Sequence, residues 1–221
     1  MTRVRQPSGT KGSLKWIQRA VNERPELLQA ALGGRLGGSR ITWCSPLISD
    51  EFAEYRDAAF LAQLGLAHLA DELKAFWPCR GPQWDALGRT DRDDLLLVEA
   101  KAHIGEMFSP PTAAGPASLA VIDRALVGVA EHLGAEPKAP WTQCFYQYAN
   151  RLAHLYFLRS HGLPAWLVLL SFTGDAEVGS PRSGEAWEAA YSVMDHVMGL
   201  RTGHRLARYV LHVHIDVAEL A

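Results

Sequence analysis

Cysteine is scarce in these 221 residues: Cys44, Cys79 and Cys144 are odd in number and far apart. They fit no zinc spacing and no disulfide framework, so a reducing, cytoplasmic setting is the plain expectation. No apolar run reaches the ~18 residues that a membrane-spanning helix needs. The N-terminus is polar and basic and lacks the apolar core of a signal peptide. Net charge is only −2, which gives no global nucleic-acid signature. No glycine fingerprint for a dinucleotide and no phosphate loop is present, which leaves a metabolic α/β enzyme without a cofactor motif. No Gly-x-Ser-x-Gly elbow surrounds Ser45, Ser171 or Ser183, so a hydrolase triad has no support. Hydrophobic content of 48% and charged content of 21% are those of an ordinary globular chain.

The charge that is present is uneven. Residues 1–40 hold eight Lys and Arg against Glu23 and Glu26, so the remainder carries about −8. This basic stretch either tracks phosphates or is a solvated surface. Residues 1–12 read as a flexible tail, followed by one domain over 13–221. Ser13 to about Leu32 reads as helix with a break at Pro25, and Ile41–Leu47 as a short strand. Phe52, Tyr55, Ala59, Ala62, Leu66, Leu69 and Leu73 recur at helical spacing, which predicts one long helix from about Glu51. Ala117–Leu133 and Thr142–His161 read as helices closed by glycines. Ala165–Phe172 reads as a buried strand, Glu185–Leu200 as a helix and Arg208–Val217 as a strand.

The chemistry concentrates at Asp85 and at Leu95-Leu96-Leu97-Val98-Glu99-Ala100-Lys101. This apolar run predicts a buried strand ending in two charges on one sheet face. A hairpin centred near Arg92 puts Asp85 opposite Glu99. Two carboxylates that close raise each other's pKa unless a cation sits between them. An Asp, a Glu and a Lys around one point suit Mg²⁺.

Asp85, a thirteen-residue gap, then Glu99-Ala100-Lys101 resembles the PD-(D/E)XK nuclease superfamily. The resemblance spans roughly residues 50–175. It departs from the family at Trp84, where Pro is common, and in having two helical stretches between the Lys101 and Ala165 strands. It implies an α/β, restriction-endonuclease-like mixed sheet flanked by helices, here with an extra N-terminal helical segment. It also implies a Mg²⁺- or Mn²⁺-dependent hydrolase acting on phosphodiester bonds, of DNA rather than RNA, with a homodimer as one arrangement. Asp85, Glu99 and the Ala100 carbonyl would hold the metal, and Lys101 would orient or activate the attacking water.

Either Glu51 or Glu54, at i,i+3 on the predicted helix and with Glu54 preferred, would add a carboxylate. Gln147 and Arg151 would meet a phosphate or a metal water. They fall on one helical stripe with Asn150 and His154, and a solvated stripe explains them equally well. Glu106 would be an extra ligand, a partner of Lys101 or a plain loop residue. His103 is in phase with Glu99 but reads as structural. His212, His214 and Asp216 share a strand face without a full zinc set. The tryptophans read as packing residues. The alternative is a catalytically weak or inactive nuclease-like domain that binds nucleic acid or protein.

Overall fold

The computed structural model describes residues 2–221. Its centre is a five-stranded sheet in the order β2 (Ile41–Ser45), β4 (Ala86–Thr90), β5 (Leu95–Lys101), β6 (Ala165–Thr173) and β7 (Val210–Asp216). β2, β4 and β5 form an antiparallel meander; β6 and β7 run parallel to β5. The fold is therefore a mixed sheet flanked by helices, with an extra helical segment at the N-terminus, as the sequence predicts. The short strands β1 (Thr2–Val4) and β3 (Glu54–Arg56) pair separately, antiparallel.

The period-2 alternation of β5 divides the core between two layers. Leu96, Val98 and Ala100 pack under α1 (Gly12–Asn22) and α2 (Pro25–Gly33), against Trp16, Ile17, Leu28 and Leu32. Leu95 and Leu97 face the opposite cluster, built from α3 (Ala58–Gln63), α4 (Ala70–Phe76), α5 (Pro116–Leu133), α6 (Tyr146–Ser160) and α7 (Gly184–Met198). Glu99 and Lys101 continue that second face, which is why they meet α6.

The predicted long helix from Glu51 is not formed. Glu51 and Phe52 have φ of 54° and 50°, a left-handed pair that no helix tolerates. The chain then extends through β3, and the helical stretch that follows is divided by Gly65 at φ +75° into α3 and α4. The i,i+3 pairing of Glu51 with Glu54 fails with it. α6 begins at Tyr146, later than predicted, because Phe145 has φ 50°. Residues 2–8, expected as part of a tail, carry β1 and further anchors: Arg3 binds Asp50 and the Pro7 carbonyl accepts from Gln18. No helix among the described residues is long and apolar enough to cross a membrane.

Candidate functional site

Two strand registers bring three carboxylates into a row. Ala86 pairs with Val98, so the next position sets Asp85 against Glu99. Asp85 Oδ2 accepts the Ala100 N–H at 2.7 Å, which fixes the carboxylate at the end of β5. Tyr55 bridges Trp84 antiparallel, and the same step sets Glu54 beside Asp85. Glu54 thus arrives from β3, and no helix is needed to bring it. Glu51 stays away, exposed and paired with Arg5 at 2.9 Å.

Glu99 is 4% exposed and both of its oxygens are engaged. Lys101 Nζ donates to Oε1, and Arg151 Nε donates to Oε2 at 2.6 Å. Burial pushes the Glu99 pKa up, but the Arg151 and Lys101 charges and hydrogen bonds outweigh it and hold it below the ordinary value. Lys101 Nζ also donates to Gln147 Oε1 at 3.0 Å, which ties β5 to α6.

Arg151 is held from several sides. Besides Glu99 it donates to the Gln83 carbonyl and to Asn150 Oδ1, each at 2.8 Å, and its guanidinium lies 5.0 Å over the Trp84 ring. Trp84, standing where the resembled family often has Pro, is a fully buried platform for that cation. Asn150, Arg151 and His154 are all buried, so the helical stripe is interior and not a solvated face.

Asp85 and Glu54 respond in the opposite sense to Glu99. Burial first, then the charges of Glu99 and Glu54, push the Asp85 carboxyl well above its ordinary range. Glu54 is raised to about 7, chiefly by burial, although hydrogen bonds from Gln83 (2.5 Å) and Gln6 (3.0 Å) oppose the rise.

The site opens into a cleft of about 710 Å³. Glu54, Asp85, Lys101, Gln147 and Arg151 line it, and so does Glu106. Glu106 takes the Ala102 N–H at 2.7 Å and the Ser13 hydroxyl at 3.1 Å, clamping the end of β5 to α1. His103 is not among the lining residues and lies 3.7 Å from Glu106. His212 and His214 sit elsewhere, both on Glu188 of α7 at 2.9 and 2.8 Å, while Asp216 caps the last turn.

Carboxylates and the Ala100 carbonyl are the donors a hard cation such as Mg²⁺ or Mn²⁺ selects. As arranged, they do not form a cation cage. Among the described residues no three His, Cys, Asp or Glu side chains gather as metal ligands. The Glu99 oxygens face Lys101 and Arg151, and one Glu54 oxygen takes two amide donors.

Two site contributions escape sequence reading. The Arg151–Glu99 pair joins residues 52 positions apart, and the Gln6 contact to Glu54 spans 48. The stripe spacing of Gln147 and Arg151 points to their shared face but not to its partner. The comparisons add no relative: no protein-family model, no curated protein and no solved structure matches the chain. The mixed five-stranded sheet flanked by helices is consistent with a restriction-endonuclease-like α/β fold.

Proposed function

We propose that this chain is a nuclease-like domain that binds a nucleic-acid phosphodiester backbone in its cleft, DNA in preference to RNA, with hydrolysis weak or absent. The observation that carries this reading is Glu99: the carboxylate expected to hold a metal has both oxygens paired with Arg151 and Lys101. Lys101 also borders the cleft and is the cation there that a phosphate would meet, with the buried Arg151 charge behind it. Glu54 and Asp85 are pushed toward their neutral forms, which lessens the repulsion that a phosphate meets there. Gln147 and Ser109 supply neutral hydrogen-bonding groups along the same wall.

A second reading, Mg²⁺- or Mn²⁺-dependent phosphodiester hydrolysis, has one specific support. The charged form of Asp85 is disfavoured first by burial and then by Glu99 and Glu54, and a cation placed among the three would relieve the repulsion.

Two measurements separate the readings. Labelled oligonucleotides are titrated in EDTA, and Mn²⁺ is titrated by calorimetry. Oligonucleotide binding without metal, and no Mn²⁺ heat at millimolar concentration, is the expected result. Mn²⁺ binding lost in Asp85→Asn, together with DNA cleavage lost in Lys101→Ala, would replace the binding reading with the hydrolytic one. Failure to bind any oligonucleotide under either condition removes the nucleic-acid assignment and leaves a protein partner.

A further inference from the structure

Phe108 stands exposed although it is a large aromatic side chain. It is 64% exposed, and among the described residues it is the one aromatic among the exposed large hydrophobic side chains. It lines the same cleft as Lys101, Gln147 and Arg151. The ring is held in place. Phe145, 4% exposed, backs it with ring centroids 5.3 Å apart and planes tilted by 42°.

The loop that carries Phe108 is fixed at both sides. Its N–H donates to the Gly105 carbonyl at 3.2 Å. Ser109 Oγ accepts the Gln147 N–H at 2.9 Å, and the Thr112 N–H donates to the Thr142 carbonyl at 2.9 Å. Pro110 and Pro111 between them stiffen the span. Phe145 is itself in the left-handed region at φ 50°, directly before α6, so the backing ring and the helix that carries Arg151 are set by the same turn.

An exposed aromatic held in place in the same cleft as the Lys101 cation suits an unpaired base: a phosphate meets the cation and the base lies on the ring. The tryptophans cannot serve. Trp84, the one nearest Asp85, is fully buried, and Trp141 is 4% exposed.

We propose that Phe108 is a base-stacking residue, and that the cleft therefore takes single-stranded or locally unpaired nucleic acid in preference to a closed duplex. This rests on the phosphodiester reading above. A duplex keeps its bases stacked on one another and offers no free face to a ring at the cleft mouth.

The test is fluorescence anisotropy on the full chain in EDTA. The probes are a short labelled deoxythymidine strand and a blunt duplex of the same length. The strand is expected to bind about tenfold or more tightly than the duplex, and Phe108→Ala to lose about tenfold in strand affinity, as expected for one stacked base. Phe108→Trp restores the affinity, and the duplex affinity is unmoved by either change. The exposed position lets the melting temperature stay where it is, so lost binding is not lost folding. Unchanged strand affinity in Phe108→Ala, or a duplex bound as tightly as the strand, overturns the stacking role and leaves the phosphodiester reading standing. If neither probe binds the unaltered protein, that reading falls and the stacking role falls with it.

Discussion

Arg151 and Glu99 form a buried ion pair between α6 and β5, with Nε 2.6 Å from Oε2 and each side chain about 5% exposed. Desolvating two such groups is unfavourable, and their attraction offsets it with the help of the further Arg151 bonds to Gln83 and Asn150. Breaking the pair from one side leaves a charge with no solvent. Arg151→Met is expected to destabilise the fold by ~3–5 kcal/mol, and the double variant Arg151→Met/Glu99→Leu to recover much of that loss. Urea denaturation of the four species reads the coupling directly. A single variant within the error of the parent would mean that Lys101 alone neutralises Glu99.

Glu54 sets a pH dependence between 4.5 and about 7. Its folded pKa of about 7 lies above its ordinary 4.5, so the folded protein holds a proton that the unfolded chain releases. Stability contributed by that proton is present below 4.5, falls as pH rises through about 7, and is gone above it. The full difference is of the order of 3 kcal/mol. Glu54→Gln keeps an acceptor for Gln6 and Gln83 and should flatten this part of the profile. Melting temperatures at pH 5, 6, 7 and 8 give the answer, and an equal slope in both proteins would show that Glu54 does not titrate there.

His154 acts in the other direction. Burial lowers its pKa to about 3, with the ring among Phe60, Trp77 and Trp84 and Nδ1 2.8 Å from the Asn150 carbonyl. The ring is neutral and donates from Nδ1. Its contribution is present above 6.5 and is lost as pH falls toward 3, because only the unfolded chain takes up the proton across that window. His154→Gln should therefore lose less stability than the parent between pH 6 and pH 4, measured by denaturant midpoints. A parallel loss in both proteins would place the acid sensitivity elsewhere.

Lys101 is expected to contribute one phosphate contact. Lys101→Met should weaken oligonucleotide binding uniformly across sequences and reduce the slope of log affinity against log salt by roughly 0.7 for a single strand. An unchanged slope would mean that Lys101 remains on Glu99 and Gln147 in the complex.

Local signals and tertiary ones were not equally legible in the sequence. β5 announces itself through its unbroken apolar run, and the turn residues before it set the hairpin so that Asp85 lands opposite Glu99. α5 ends where Gly134 takes up a left-handed conformation, as its composition suggests, whereas α7 stops at Met198, short of the expected Leu200, because Gly199 is left-handed. The segment from Glu51 to Leu73 misleads because its apolar spacing is helical while its start is not: the left-handed backbone of Glu51 and Phe52 is stabilised by contacts that periodicity does not carry. The same holds for β1 and β3, whose partners are about fifty residues apart. Burial is the other gap. Arg151 reads equally well as a surface cation or a buried one until Trp84 and Glu99 are seen on either side of it.

The amide that Gln6 donates to Glu54 ties the opening residues of the chain to the acid–base balance of the cleft. Trimming those residues for expression or crystallisation would strip the carboxyl of one of its two side-chain donors and remove β1, with which β3 pairs. Assays on shortened versions would then report on an altered cleft.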